Sequence, residues 1–240
     1  FRRMIGPVRE AATVWYIPTA LLREGGSMAK AQSERQGIQK EYGLGRVELI
    51  DVEQVRGEDL RRAISELGRV DAIWAESGNT YALRHHLRTS GAEEIVRSLV
   101  DSGSIYVGSS AGAINAGRTI QTAFWKDWDD RTAEGTIDVD WNDPELSHGL
   151  DLAGGRSIFP HARRGTSYGD PEWQEAQANK HGHVDHEVIR LDDGEGFVID
   201  GHAAYVVDRA PRSASPFEGP RRRSPREGRR LQRARRAKKK

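Results

Sequence analysis

Along the first half of the chain, short apolar runs alternate with stretches in which apolar residues recur every three or four positions. The runs TVWYIPTA (13–20), RVELIDVE (46–53), VDAIWAES (70–77) and SIYVGSS (104–110) each end in polar or turn residues and predict strands. Between them the spacing predicts helices at about 30–42, 58–67, 81–88 and 92–100. In the second of these, Leu60, Ile64 and Leu67 share one face while Arg61, Arg62 and Glu66 lie outside it. Strands separated by helices of this length predict an α/β fold with a mostly parallel sheet, flanked by helices and joined by right-handed crossovers. The C-terminal ends of all four strands then share one edge, where such folds carry their sites.

The second half reads as richer in β structure. RSIFPH (156–161), HEVIRLDDG (186–194), EGFVID (195–200) and HAAYVVD (202–208) predict strands, the last two joined by a turn at Gly201. DPEWQEAQANK (170–180) predicts a helix with Asp170 as N-cap and Pro171 in its first turn. Residues 124–155, rich in Asp, Trp and Gly, predict a long loop, and long loops in compact domains tend to be functional. No internal repeat is present.

Composition narrows the class. A chain of 240 residues, 36% hydrophobic and 30% charged, buries one sizeable core, which predicts a single α/β domain over 1–210. No apolar run reaches the roughly 18 residues that a membrane span needs, and the opening FRRMIGPVRE lacks the apolar core of a secretory signal. The absence of cysteine removes disulfides, thiolate metal sites and a thiol nucleophile together, and predicts a cytoplasmic protein whose chemistry uses oxygen or nitrogen. The net charge of +1 conceals an uneven distribution: 211–240 holds 13 Lys or Arg against 2 Asp or Glu, leaving 24 basic and 34 acidic residues in 1–210. This basic stretch, PRSASPFEGPRRRSPREGRRLQRARRAKKK, has too few apolar residues to offset its ordering entropy and predicts a disordered tail. It is the one feature suited to nucleic acid, and nothing in the acidic body supports that role.

Candidate chemistry centres on SIYVGSSAGAINAG (104–117). Gly108-Ser109-Ser110-Ala111-Gly112 is a Gly-x-Ser-x-Gly turn between a strand and a helix, the nucleophile elbow that lifts a serine hydroxyl clear of a sheet edge. The backbone N–H of Ala111, at the helix start, then suits a developing oxyanion. A serine needs a base and the base an orienting carboxylate. His161 ends one predicted strand; Asp192 and Asp193 end another; Asp127, Asp129 and Asp130 stand as alternatives. The order Ser, His, Asp differs from the Ser, Asp, His order of lipase-like hydrolases. Trp125 and Trp128 are candidate walls of a substrate pocket. His181, His183 and His186 have the spacing of metal ligands, but between a helix and a strand they predict a solvated loop, so no metal is assigned.

Taken together, SGNTYAL (77–83), YVGSSAGA (106–113), TAFWKDWDD (122–130), FPH (159–161) and RLDDG (190–194) resemble the peptidase E (aspartyl dipeptidase) family of serine peptidases, whose relatives include cyanophycinase, over roughly residues 13–208. The resemblance implies a fold like that of the class I glutamine amidotransferases (flavodoxin-like), with serine in place of their cysteine. It implies Ser110 as nucleophile, His161 as base, Asp193 as orienting acid, and Gly78 with Ala111 as oxyanion donors. Asn79, Trp125, Arg163 and Arg164 are the candidate substrate contacts. The implied substrate is a small peptide, first a dipeptide with N-terminal Asp, with no cofactor and no membrane partner, in a monomer or homodimer. The alternatives are cleavage of β-aspartyl bonds in the manner of cyanophycinase, or a truncated, inactive member serving as a binding module. Two departures from the family pattern bear on this. Ala75-Glu76-Ser77 replaces a glycine-rich run, which predicts an acidic side chain near the oxyanion turn, and only twelve residues precede Thr13, so the family's first strand is expected to be missing.

Overall fold

In the computed structural model, residues 1–126, 128–162, 170–201 and 203–208 are described, with the backbone alone at Val8. Strand β1 (Thr13–Ile17) is buried almost throughout, as befits an inner strand covered on both faces. It pairs in parallel with β2 (Arg46–Leu49) on one side and β3 (Ala72–Ala75) on the other, and β4 (Ile105–Gly108) completes the order β2-β1-β3-β4. The pairs Tyr16↔Leu49, Ile17↔Ala75 and Ala75↔Gly108 bring the four strand ends level, so the turns that follow share one edge.

Alternation of period two divides the core. Trp15, Ile17, Ile73 and Ala75 face Leu60 and Ile64 of α4 (Gly57–Glu66), Leu83 and Leu87 of α5 (Thr80–Thr89) and Val96 of α6 (Ala92–Asp101). Val14, Tyr16 and Ala72 face Ala31 and Ile38 of α3 (Met28–Tyr42) on the other side. Leu60 is wholly buried, and removing a side chain of that size from water contributes roughly 1.5–3 kcal/mol. α1 (Arg2–Ile5) and α2 (Thr19–Arg23) are short additions before and after β1, too brief to show a periodic pattern.

The second half adds a parallel pair, β5 (Ser157–Pro160) with β6 (Val188–Leu191), and a two-stranded sheet of β7 (Glu195–Asp200) with β8 (Ala203–Asp208). Between β4 and β5 lie α7 (Ala111–Ala116), α8 (Thr122–Lys126) and α9 (Pro144–Ser147). The predicted loop at 124–155 is therefore partly helical, and Trp125, Ala133 and Trp141 within it are buried. After it, α10 (Pro171–His181) starts with the Asp170 carboxylate accepting the Glu172 N–H at 3.0 Å, the predicted cap. Residues Phe1–Val207 form one compact unit. Among the described residues no helix is long and apolar enough to cross a membrane.

Candidate active site

β4 runs directly into Ser109 and Ser110, and α7 begins at the next residue. Ser110 has φ 46° and ψ −98°, a conformation that costs an L-residue energy and that its surroundings must impose. The flanking glycines make the turn sterically feasible. A Cβ on Gly108 would lie 2.5 Å from the Gly112 carbonyl carbon, and one on Gly112 would lie 2.2 Å from the Ala75 oxygen. The Ser109 N–H donates to Ala75 O at 3.0 Å, and the Tyr106 hydroxyl donates to Gly112 O at 2.9 Å. Asn115, fully buried, donates to Ala111 O at 3.0 Å and Thr80 O at 3.2 Å, tying α7 to α5. No catalytic motif points to Asn115; an amide on the buried face of a small-residue helix is the signal that could have found it.

His161 follows β5, also at positive φ (61°). Its Nε2 lies 3.1 Å from Ser110 Oγ, and its Nδ1 is in direct contact with Asp193 Oδ1. A carboxylate on Nδ1 fixes the tautomer with Nδ1–H donating, which leaves the Nε2 lone pair for the serine hydroxyl. Asp193 stands in the turn after β6, beside Gly194 at φ 102°. The Trp128 ring lies 5.4 Å from the His161 ring, and Lys126 Nζ lies 5.1 Å from the Trp128 ring centre.

Two of the other acidic candidates, Asp129 and Asp130, are engaged elsewhere. Asp129 Oδ2 accepts the Thr80 N–H at 2.8 Å at the start of α5. Asp130 accepts the hydroxyl and backbone N–H of Thr132, bonds that hold its carboxyl below the usual range. The Asp192 backbone N–H donates to Glu195 Oε2 at 2.7 Å. Asp127 lies outside the described residues, as do Arg163, Arg164 and the basic stretch 211–240.

Gly78 has φ 138°, and a Cβ there would fall 2.1 Å from Ala20 O, so only glycine lets this turn pass α2. Asn79 caps α5, its Oδ1 accepting the Ala82 N–H at 2.9 Å while its Nδ2 donates to Asp130 O at 2.8 Å. Glu76, the acid expected near the oxyanion turn, accepts the Ser77 N–H and hydroxyl at 2.8 and 2.9 Å and the Tyr16 hydroxyl at 3.3 Å. Burial, reinforced by Glu76, pushes the Tyr16 phenol well above its ordinary value. Trp125 packs 5.8 Å from the Phe159 ring and lines a cavity of about 530 Å³ between α10 and β6, which Ala162, Arg190, Asp192, Glu175 and Glu195 also border.

Between α10 and β6 the chain is a loop, exposed at Gly182, His183, Asp185 and Glu187, while His181 and His186 are partly buried. The His181 ring stacks on Phe124 at 5.9 Å, and His186 Nε2 lies 2.8 Å from the buried Ser157 hydroxyl. Among the described residues no group of three or more His, Asp or Glu converges as a metal site.

A profile of Peptidase family S51 matches residues 1–207. An uncharacterized peptidase of Listeria innocua serovar 6a is 31% identical over 105 residues, 44% of this chain and 47% of the relative. One of Listeria monocytogenes serovar 1/2a is 28% identical over 105 residues, 44% of this chain and 48% of the relative. The matched part spans about half the length of these relatives. Among solved structures, a protein of Listeria monocytogenes EGD-e provisionally assigned as peptidase E superposes with a TM-score of 0.63 at 20% identity, over 86% of this chain and 90% of that one. A peptidase from an acI-B1 Actinobacterium gives 0.60 at 17% identity, over 87% of this chain and 80% of that one. At these identities the likeness is one of fold.

Proposed function

The chain belongs to peptidase family S51, and on that premise we propose that it is a serine peptidase that hydrolyses short peptides, dipeptides with an N-terminal Asp first among them. The observation that carries this reading is the continuous chain from Ser110 Oγ to His161 Nε2 and from His161 Nδ1 to Asp193. As Ser110 Oγ attacks the scissile carbonyl, His161 Nε2 takes its proton, and Asp193 stabilises the imidazolium that results. The N–H groups of Gly78 and Ala111 receive the oxyanion. His161 then protonates the leaving amine, and a water, deprotonated by the same nitrogen, hydrolyses the Ser110 ester in a second half-reaction. The Trp128 ring flanks the base, tilted 44° at 5.4 Å from the His161 ring.

A second reading has one observation in its favour. The cavity between α10 and β6 reaches Ala162 and Asp192, the neighbours of the His–Asp pair, and carries three carboxylates, Glu175, Asp192 and Glu195, against the one guanidinium of Arg190. A longer, basic substrate of β-aspartyl type suits such a groove better than a dipeptide does. Hydrolysis of Asp-Leu, Glu-Leu, Leu-Leu and β-Asp-Arg by the wild type and by Ser110→Ala separates the readings. Asp-Leu cleavage that vanishes in Ser110→Ala is expected. Cleavage of β-Asp-Arg alone would favour the second reading, and silence on every peptide from a folded protein would favour a non-catalytic binding role.

A further inference from the structure

Ser157, the first residue of β5, is fully buried, and its hydroxyl lies 2.8 Å from His186 Nε2. The other ring nitrogen of His186 lies 2.9 Å from Asp185 Oδ1. A second Ser–His–Asp chain thus stands at the opposite end of the β5–β6 pair from His161 and Asp193. It is no second catalytic centre, because no substrate can reach the Ser157 hydroxyl, which is also engaged with backbone: it accepts the Thr119 N–H at 3.2 Å and lies 3.2 Å from Thr119 O.

Further contacts close this chain into a knot. Asp185 Oδ1 lies 3.8 Å from Arg118 Nη1, the Arg118 N–H donates to Arg156 O at 2.8 Å, and the Ser157 N–H donates to Glu187 O at 3.0 Å. Three segments are joined: 117–119 leaving α7, 156–157 entering β5, and 185–187 entering β6. Each belongs to the element that carries one reactive residue. Ser110 is the N-cap of α7, His161 follows β5, and Asp193 lies two residues past β6. Among the described residues, β5 and β6 pair only with each other and share no ladder with the β2-β1-β3-β4 sheet. Apolar packing, with Ile114 and Phe159 in one cluster and Ala113 against that of Ile158 and Leu191, seats the pair on α7, and side-chain and loop bonds add direction to it. Thr122 Oγ1 of α8, donating to Ile158 O at 2.7 Å, holds the middle of β5, and the knot holds its start to the segment leaving α7.

We propose that His186 is a positioning residue for the reactive site: by holding Ser157 and Asp185 together, it fixes the orientation of the β5–β6 pair relative to the nucleophile helix. This rests on the Ser110–His161–Asp193 reading above. His161 lies four residues from Ser157, about 13 Å along a strand, so a small rotation at the knot becomes a displacement of order 1 Å at the imidazole. A misplacement of that size lowers a reaction rate about 100-fold.

The test compares wild type, His186→Ala and His186→Gln, whose amide oxygen can still accept the Ser157 hydroxyl. Each is reacted with an alkyl fluorophosphonate, with adducts located by peptide mass spectrometry, and each is followed by backbone hydrogen exchange at 157–161 and 188–191. His186→Ala is expected to lose about tenfold to a hundredfold in kinact at Ser110 with KI unchanged, and to exchange faster in both strands, while His186→Gln recovers most of the rate. Lowered melting temperatures in both variants without this split between kinact and KI would overturn the proposal in favour of a merely structural role. Wild-type kinact and exchange in His186→Ala would overturn the proposal, as would His186→Gln reacting no faster than His186→Ala. Should wild type carry no adduct at Ser110, the catalytic reading falls and the exchange comparison alone decides: unchanged protection overturns the knot, and protection lost in those two strands upholds it.

Discussion

Ser110 and His161 both adopt positive φ, which among the described non-glycine residues recurs only at Asp151. Strain of this kind persists only where the surroundings over-determine it, and here it aims both side chains at one point. Ser110 was legible in the sequence because Gly-x-Ser-x-Gly between strand and helix is a local pattern. The carboxylate was less so. Five aspartates stood as candidates, and the choice depends on where the β6–β7 turn points, which no local pattern encodes. In the structure Asp193 faces His161 while Asp129 caps α5. Asp193→Asn is accordingly expected to fold normally and to lower kcat about 10⁴-fold, whereas Asp129→Asn keeps most of the activity. Steady-state kinetics on the best peptide of the panel checks this; equal losses in the two variants would contradict the assignment.

At the scale of elements, the apolar runs and helical spacings of the first half correspond to β1–β4 and α3–α6, because each is long enough to show its period. α8 and α9 leave no trace in the sequence pattern: pieces of five and four residues have no measurable periodicity, and 124–155, which overlaps the first and holds the second, reads as a loop rich in Asp, Trp and Gly. Nor did spacing reveal that α7 packs so closely on β3. Since a Cβ on Gly112 would meet the Ala75 oxygen at 2.2 Å, Gly112→Ala must push α7 away from the sheet. The expected result is lost activity together with a lowered melting temperature, read by calorimetry and the same peptide assay. Asn79 tests the neighbouring helix. Removing its cap in Asn79→Ala is expected to cost about 1 kcal/mol in denaturant unfolding.

For the molecule as a whole, the parallel α/β class was legible, but the order β2-β1-β3-β4 and the separateness of β5–β6 were not, since both depend on how crossovers pack. Global stability has a titrating component that the sequence also left unassigned. His86 is buried, and its pKa is lowered to about 4, chiefly by desolvation and further by His85, Arg56 and Arg23. Arg56 Nη2 lies 3.1 Å from His86 Nδ1, which suits a neutral ring accepting at that nitrogen. Between the ordinary value of 6.5 and about 4 the unfolded chain binds a proton that the folded chain refuses. This contribution is complete above 6.5 and is lost as pH falls toward 4, by at most on the order of 3 kcal/mol. Asp51 and Glu24, whose carboxyls desolvation pushes upward, act in the opposite sense, so the comparison that isolates His86 is wild type against His86→Gln. Unfolding free energies at pH 7 and pH 4.5 are expected to fall more steeply in wild type; parallel slopes would contradict the buried neutral histidine.

The most direct test of the central claim is to locate the covalent adduct after the wild-type protein is treated with a fluorophosphonate. A single modified peptide is expected, the one containing Ser110, with no adduct in His161→Ala under the same conditions. An unmodified Ser110 in folded protein, or equal modification in His161→Ala, would contradict an assembled serine nucleophile.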